Sequence, residues 1–479
     1  SMSSDLKTNL LIKIKKENRM PTLNEISFQI KDKKAEVSNE NRFSEIIDIF
    51  IKDIDKKFSS AQIAENDFLI SDILNSFYNL KKYEKGINFI DNYLKIDLRN
   101  INNSFIINLY GKCLYNYLKI KNNKNSFGEE EYSSNETEDF IDEAIIGDID
   151  SLYNKTKLLL QILDIKDKYH YVTVKELCFN FVKLIVSAKT HWDYALEIID
   201  SINPEDLSKE PYMGTIKGKQ KELASHYETW FAQRSKILFE MGNYAECLSF
   251  SQKLLSDKIL NHHDYDIWCV RRIALCYSQM KEYNLAIEGL LKSVKSKKVW
   301  FLQKELAENY FLIGDYKSSL KYALDAALGS GELKFKWELF YLIYETLEKM
   351  GNPEYSLISL KLAAAIRINE KWKLREKLTQ SLAKYNIALD NLNVNTLKNK
   401  LDELAYSQLN KGIIKDYNAE KRFGFIEFND SRIFFRASSY KGNASQLKVG
   451  ERVIFAEDTD YDPVKKKESL AAYFVKRIN

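Results

Sequence analysis

The chain has 479 residues, 45% of them hydrophobic and 13% aromatic, enough to bury a core across two to four domains or one long repeat array. A formal net charge of +4 excludes a polycation that would coat nucleic acid by charge alone. Only 5 Pro and 16 Gly in so long a chain favour long helices.

The five cysteines (Cys113, Cys178, Cys247, Cys269 and Cys276) form no CxxC pair, and no apolar run approaches about 18 residues. A soluble, reducing, cytoplasmic protein is expected. The abundance of Lys, Asn and Ile is associated with AT-rich bacterial genomes.

Residues 1–40 are polar and lysine-rich, with brief alternation at Leu10, Ile12 and Ile14. A short strand, an arm or disorder is expected there. Helical periodicity takes over across 41–408. Leu80-Lys81-Lys82-Tyr83-Glu84-Lys85-Gly86 reads as a tight turn between two helices. Residues 121–150 begin with Lys and Asn and turn acidic through Glu129-Glu130-Glu131. They predict an inserted loop, either simply solvated or a contact for a basic partner. The helical turn returns at Lys189-Thr190-His191-Trp192-Asp193-Tyr194-Ala195, with Pro204 at the end of that unit.

The middle of the chain repeats itself. Gly242-Asn243-Tyr244-Ala245-Glu246-Cys247 recurs as Lys281-Glu282-Tyr283-Asn284-Leu285-Ala286 and again as Gly314-Asp315-Tyr316-Lys317-Ser318-Ser319, at spacings of 39 and 33 residues. Apolar helical runs precede each copy (230–241, 268–280, 302–313) and follow it (248–255, 287–294, 320–328). Met350-Gly351-Asn352-Pro353-Glu354-Tyr355 is a stretched copy, followed by helical runs at 357–368, 372–385 and 397–409.

This unit resembles the tetratricopeptide repeat, whose period is about 34 residues. The resemblance implies an α-solenoid of helix pairs with a concave groove for a partner protein. Its frame places Phe239, Trp268, Arg271, Phe301, Lys304 and Phe311 near the inner faces of successive first helices. Rings mixed with Arg and Lys suit an extended peptide or a C-terminal carboxylate. Core rings with solvated charges would give the same pattern, and the sequence leaves both open.

From 409 the periodicity changes from helical to alternating. Lys421-Arg422-Phe423-Gly424-Phe425-Ile426 and Ile433-Phe434-Phe435-Arg436-Ala437-Ser438 put rings and cations on one face and Gly424, Ile426, Ile433 and Phe435 on the other. These runs, with the opening Gly412 to Lys421, Leu447 to Phe455 and Ala471 to Ile478, resemble the cold-shock domain. That family is a five-stranded OB-type barrel that binds single-stranded nucleic acid. The resemblance implies that Tyr417, Phe423, Phe425 and Phe434 stack bases. Lys415, Lys421 and Arg436 would neutralise phosphate or stack. Four positions depart from the family pattern: Asp416 replaces a Trp, Arg422 a Gly, Arg436 a His and Ala437 a Phe. From 411 onward, fourteen Lys and Arg face ten Asp and Glu, a mild surplus of four.

His262, His263, Cys269 and Cys276 lack the spacing of a zinc site. The five histidines form no recognisable catalytic set, and no Gly-rich phosphate loop, GxSxG or HExxH occurs. No cofactor, metal or catalytic residue is expected. The resulting organisation is a polar element at 1–40, a helical array at 41–408 with an insertion at 121–150, and a barrel at 409–479. The function expected is that of a non-enzymatic adaptor joining a partner protein to single-stranded nucleic acid, RNA before DNA. Two alternatives stand beside it: a purely protein-binding scaffold whose barrel is a docking or capping module, and an unrecognised nuclease or other enzyme.

Overall fold

The computed structural model describes residues 39–125, 148–216, 218–260, 265–296, 298–462 and 467–478, with His262 and a few positions between 22 and 30. The expectations for most of 1–38, for the acidic stretch at 126–147 and for His263 lie outside these residues. The chain forms two compact units that meet in sequence between Met241 and Gly242.

The first unit includes the α-helices α1 (Asn39–Ile49), α2 (Ser60–Ala64), α3 (Asp67–Asn79), α4 (Tyr83–Asn88), α5 (Ser104–Asn125), α6 (Ile149–Ile162), α7 (Tyr171–Ala188), α8 (Trp192–Asp200) and α9 (His226–Glu240). Leu69, Ile73, Leu74, Ile106, Leu114, Leu177 and Phe181 are fully buried between them. A hairpin of β1 (Tyr212–Ile216) and β2 (Lys219–Leu223) interrupts the helices before α9. Its sequence lacks the apolar alternation that marks a half-buried strand, so the repeat pattern gave no sign of it.

The second unit continues with α10 (Tyr244–Ser256), α11 (Tyr265–Gln279), α12 (Tyr283–Ser296), α13 (Trp300–Leu312), α14 (Tyr316–Leu328), α15 (Trp337–Lys349), α16 (Pro353–Asn369), α17 (Glu376–Lys384) and α18 (Val394–Ser407). From α10 to α16 each helix packs on the next in sequence, and α18 returns against α16.

The repeated hexapeptides are the turns between successive helices. Each first helix closes on a left-handed residue: Lys81, Gly242, Lys281, Gly314 and Gly351 have φ of 56°, 78°, 65°, 81° and 74°. Glycine takes that conformation without strain, and the two lysines do so at some cost. The aromatic residue that follows opens the next helix and packs back over the turn. Tyr83 lies 5.9 Å from Tyr78, and Tyr316 lies 5.4 Å from Phe311. Three residues further on, a small residue is buried: Gly86, Ala195, Cys247, Ala286 and Ser319, with Ser356 buried in the stretched copy. A larger residue there would hold the paired helices apart.

One helical run starts later than its periodicity suggests. Residues 372–375 are not helical, and α17 begins at Glu376. The cause is Arg367, fully buried between the rings of Trp337 and Trp372, whose Nε donates to the Lys373 carbonyl at 2.9 Å. That bond holds the chain extended where a helix would otherwise begin.

Two residues after α18, the chain enters a closed barrel of β3 (Asn410–Asn418), β4 (Phe423–Phe428), β5 (Ser431–Arg436), β6 (Arg452–Asp462) and β7 (Lys467–Arg477), in the order β3-β4-β5-β7-β6. Ile414, Ile426, Ile433, Phe435, Leu447, Val453, Phe455 and Val475 fill it. Closure removes the free edges of the sheet, so the barrel's outward faces can be given to other contacts.

Candidate functional site

The β4–β5 ladder pairs Phe423 with Arg436 and Phe425 with Phe434. Residues directly opposite in an antiparallel pair point to the same side, so these four share the outer face. The three rings form a half-exposed cluster, with centroids 6.1 Å apart for Phe423 and Phe425, 5.7 Å for Phe423 and Phe434, and 5.8 Å for Phe425 and Phe434. Arg436 is exposed at its rim, its guanidinium 6.0 Å from the Phe434 ring. Lys421 is also exposed, in the turn before β4, where Asn418 Oδ1 accepts from its backbone N–H at 2.8 Å. Gly424 lies buried beneath the rings. A Cβ there would sit 2.4 Å from the Asp416 carbonyl and 2.7 Å from Phe435, so the sheet closes only over a glycine.

Tyr417 stands apart from this cluster. A β-bulge between Ile414 and Asp416 leaves Lys415 as the extra residue, so Asp416 falls opposite Phe425 and Tyr417 opposite Gly424. Without the bulge, strict alternation would set Tyr417 opposite Phe423 on the ring face. Instead its ring stacks on core Phe435 at 6.1 Å, and the Asp416 side chain takes the place beside the rings. Lys415 pairs with Glu427 at 3.0 Å in the open.

The opposite side of the barrel is covered. Ile454 and Lys476, and Ala456 and Phe474, are paired on the outer face of β6 and β7. Ile454, Ala456 and Phe474 are nonetheless buried. Tyr406 of α18 lies 6.1 Å from Phe474, and Lys476 Nζ donates to Tyr406 Oη at 2.8 Å while lying 4.2 Å from that ring's centroid. The barrel therefore docks on the helices through β6 and β7 and presents β4 and β5 outward.

Residues 410–470 match the family described as the 'Cold-shock' DNA-binding domain. The C-terminal barrel has the cold-shock fold. No curated protein matches the chain. Among solved structures, MamA (AMB-1) is 13% identical, with 41% of this chain and 98% of MamA covered and a TM-score of 0.29. BtubC from P. vanneervenii is 12% identical, with 49% and 95% covered and a TM-score of 0.33. The apo form of RapI is 13% identical, with 81% and 96% covered and a TM-score of 0.35. The tetratricopeptide-like character of the helix pairs rests on their own turns and packing, described above.

The six residues expected near the inner helix faces are placed differently from one another. Trp268 and Phe301 stack 4.9 Å apart and are buried. Arg271 lies 5.3 Å from each of those rings, and its Nε donates to Glu305 at 2.6 Å. Lys304 is buried between Glu338 at 2.9 Å and Glu308 at 3.1 Å. Burial works against its charge, but the two carboxylates outweigh burial and raise its pKa. Burial likewise pushes the Glu305 carboxyl up, against the pull of Arg271. Both cations thus join one helix pair to the next. Phe239, on α9 in the first unit, is half-buried.

Phe311 lines a hollow of about 360 Å³ with Tyr341, Tyr344, Glu345, Glu348 and Lys384. Burial and the neighbouring Glu348 and Glu308 raise the Glu345 carboxyl above its ordinary range, against the pull of Lys377. Sequence periodicity does not mark this hollow, because its rings also serve the helix packing.

Among the described residues no group of three His, Cys, Asp or Glu could hold a metal, and no helix is long and apolar enough to cross a membrane. All five cysteines are buried.

Proposed function

We propose that this protein is a non-enzymatic adaptor that binds single-stranded nucleic acid, RNA before DNA, through its barrel and a partner protein through its helix pairs. The observation that carries this reading is the cluster of Phe423, Phe425 and Phe434, exposed on the side of the barrel that does not dock. An aromatic face kept out of both the core and the docking seam suits base stacking, worth about 1–3 kcal/mol per base. Lys421 and Arg436 flank it and supply charge for phosphate, with Arg436 also able to stack. Lys415 reaches phosphate by exchanging its exposed pairing with Glu427, and Tyr417 holds the floor of the site against Phe435. For the partner protein, the second unit offers the half-buried ring of Phe311 and the hollow around Glu345, and the first unit separately offers the half-buried ring of Phe239. Within the second unit, Trp268, Arg271, Phe301 and Lys304 set the packing of the helices around that hollow.

The test uses the full chain and labelled oligo(U) and oligo(dT) at two salt concentrations. Phe423→Ala with Phe425→Ala removes two stacking partners. It is expected to weaken binding at least thirtyfold, since even about 1 kcal/mol per ring sums to that. Unchanged binding, or none by the wild type, would instead favour the scaffold reading, to which the docked β6–β7 face and the Asp416 carboxylate beside the rings lend weight.

A further inference from the structure

The ring face has a neighbour outside the barrel. Strand β5 runs parallel to β7, with Phe434 beside Ala471 and Phe435 beside Ala472. The next residues along the two strands are Arg436 and Tyr473. A second β-bulge lies here: Ala456 pairs with Phe474 and Glu457 with Ala472, leaving Tyr473 as the extra residue on β7. Bulges re-aim a side chain and gather beside functional sites. The Tyr473 ring meets the helical array at Lys298, between α12 and α13, whose Nζ lies 3.2 Å from the ring centroid. Lys295, exposed in the last turn of α12, adds positive charge close by in the chain. On the far side of β7, the Glu457 carboxylate accepts from Asn410 Nδ2 at 3.1 Å, which turns that carboxylate toward β3. The order across the surface is rings on β4, ring and guanidinium on β5, ring on β7, ammonium on the helices. Two strand spacings, about 10 Å, separate β4 from β7.

We propose that a bound single strand does not end at the barrel's rings but continues over Arg436 and Tyr473 onto Lys298, so that barrel and helices hold one strand together. This rests on the nucleic-acid reading above and extends it: the helical array supplies part of the nucleic-acid site as well as a surface for protein. The sequence of contacts is stacking on Phe423, Phe425 and Phe434, then a phosphate crossing at Arg436, then a second phosphate at Lys298 beside the Tyr473 ring.

The experiment compares oligo(U) of about six and about twelve nucleotides on the full chain, within the range that one OB-type fold covers. Lys298→Gln is expected to weaken the longer oligonucleotide about three- to fivefold at low salt. It should also flatten the dependence of log K on log salt by about 0.7, one single-strand phosphate. The shorter oligonucleotide should bind as before, and Lys298→Arg should restore the wild-type slope. If Lys298→Gln matches wild type for both lengths while Phe423→Ala with Phe425→Ala loses binding, the strand stops at the rings. The extension then fails and the barrel reading stands. If Lys298→Gln lowers the melting temperature and weakens both lengths equally, the lysine only docks the barrel, and the extension fails. If the double Phe variant also binds like wild type, the barrel reading itself fails and takes the extension with it.

Discussion

Between α11 and α13, Trp268, Phe301 and Arg271 make a cluster of two rings and a guanidinium that is packed away and tied to Glu305. On β4 and β5, Phe423, Phe425, Phe434 and Arg436 make a cluster of the same chemistry that is half-exposed. The difference follows from how each architecture closes. A helix pair cannot bury its apolar face alone, so its rings and long cations are drawn into the contact with the next pair. A barrel closes on itself and fills its core from inward residues only, which leaves its outward rings available. Ring-plus-cation composition is therefore weak evidence for a binding surface in a repeat array and stronger evidence on a closed barrel.

The largest effect expected from this contrast is on stability. Lys304→Ala would leave Glu338 and Glu308 without their buried partner and should cost about 3–5 kcal/mol in a urea melt. Lys304→Met combined with Glu338→Leu should recover much of that loss. Lys421→Ala, in the open on the barrel, should shift the same melt by no more than about 0.5 kcal/mol. Equal losses at Lys304 and Lys421 would erase the distinction between a cation used for packing and one held for a ligand.

The second effect tests how tightly the ring face is built. Gly424→Ala forces a methyl against the Asp416 carbonyl and the Phe435 ring, and overpacking of this kind costs about 1–3 kcal/mol. Hydrogen exchange should quicken at barrel amides and leave the helices of the first unit unchanged. Unaltered barrel protection would show that the sheet can shift under the rings.

A third test concerns a cation kept within the helical part. Lys336 is 2% exposed, and its Nζ donates to the carbonyls of Ala326 at 3.0 Å and Gly329 at 2.7 Å. Burial, with Lys398 and Lys441 nearby, lowers its pKa to about 7, against the opposite pull of Asp402. Between about pH 7 and the ordinary lysine value near 10.4, the unfolded chain then binds more protons than the folded one. Stability from this group therefore rises with pH across that window, by at most about 1.4 kcal/mol per pH unit, and falls again as pH returns toward 7. Lys336→Met should flatten urea midpoints measured from pH 7 to 9. A wild-type curve already flat there would show the ammonium stays charged on its two carbonyls.

Much of this was legible in the sequence, for particular reasons. The turns at Gly242, Lys281 and Gly314 stood out because a left-handed residue, an aromatic and a small residue are each required there. The ring face stood out because strand alternation separates it from Gly424, Ile426 and Phe435. The placement of Tyr417 was hidden by the bulge at Lys415, which no local pattern announces. The pairing of Arg271 with Glu305 and of Lys304 with Glu338 did carry a signal. Each pair is 34 residues apart, one repeat period, and opposite charges at that spacing mark neighbouring copies of one position. The hairpin at 212–223 carried none, because its sequence lacks the apolar alternation of a half-buried strand.

The smallest effect separates fold from binding at a single residue. Arg422 sits in the left-handed region at φ 56°, and its carbonyl accepts from the Ala437 backbone N–H at 2.8 Å, closing the turn that presents β4. A side chain in that conformation costs about 1–2 kcal/mol, whereas glycine adopts it freely but loses more freedom on folding. Arg422→Gly should thus stabilise the barrel by no more than about 1 kcal/mol. It also removes an exposed guanidinium beside Lys421, so nucleic-acid affinity should fall and the salt slope should flatten by about 0.7. Opposite signs on the two measurements would mean that the arginine is kept at this turn for charge, at the expense of stability. A gain in stability with unchanged affinity would place the guanidinium outside the path of the bound strand and leave the phosphate contacts of the barrel to Lys421 and Arg436.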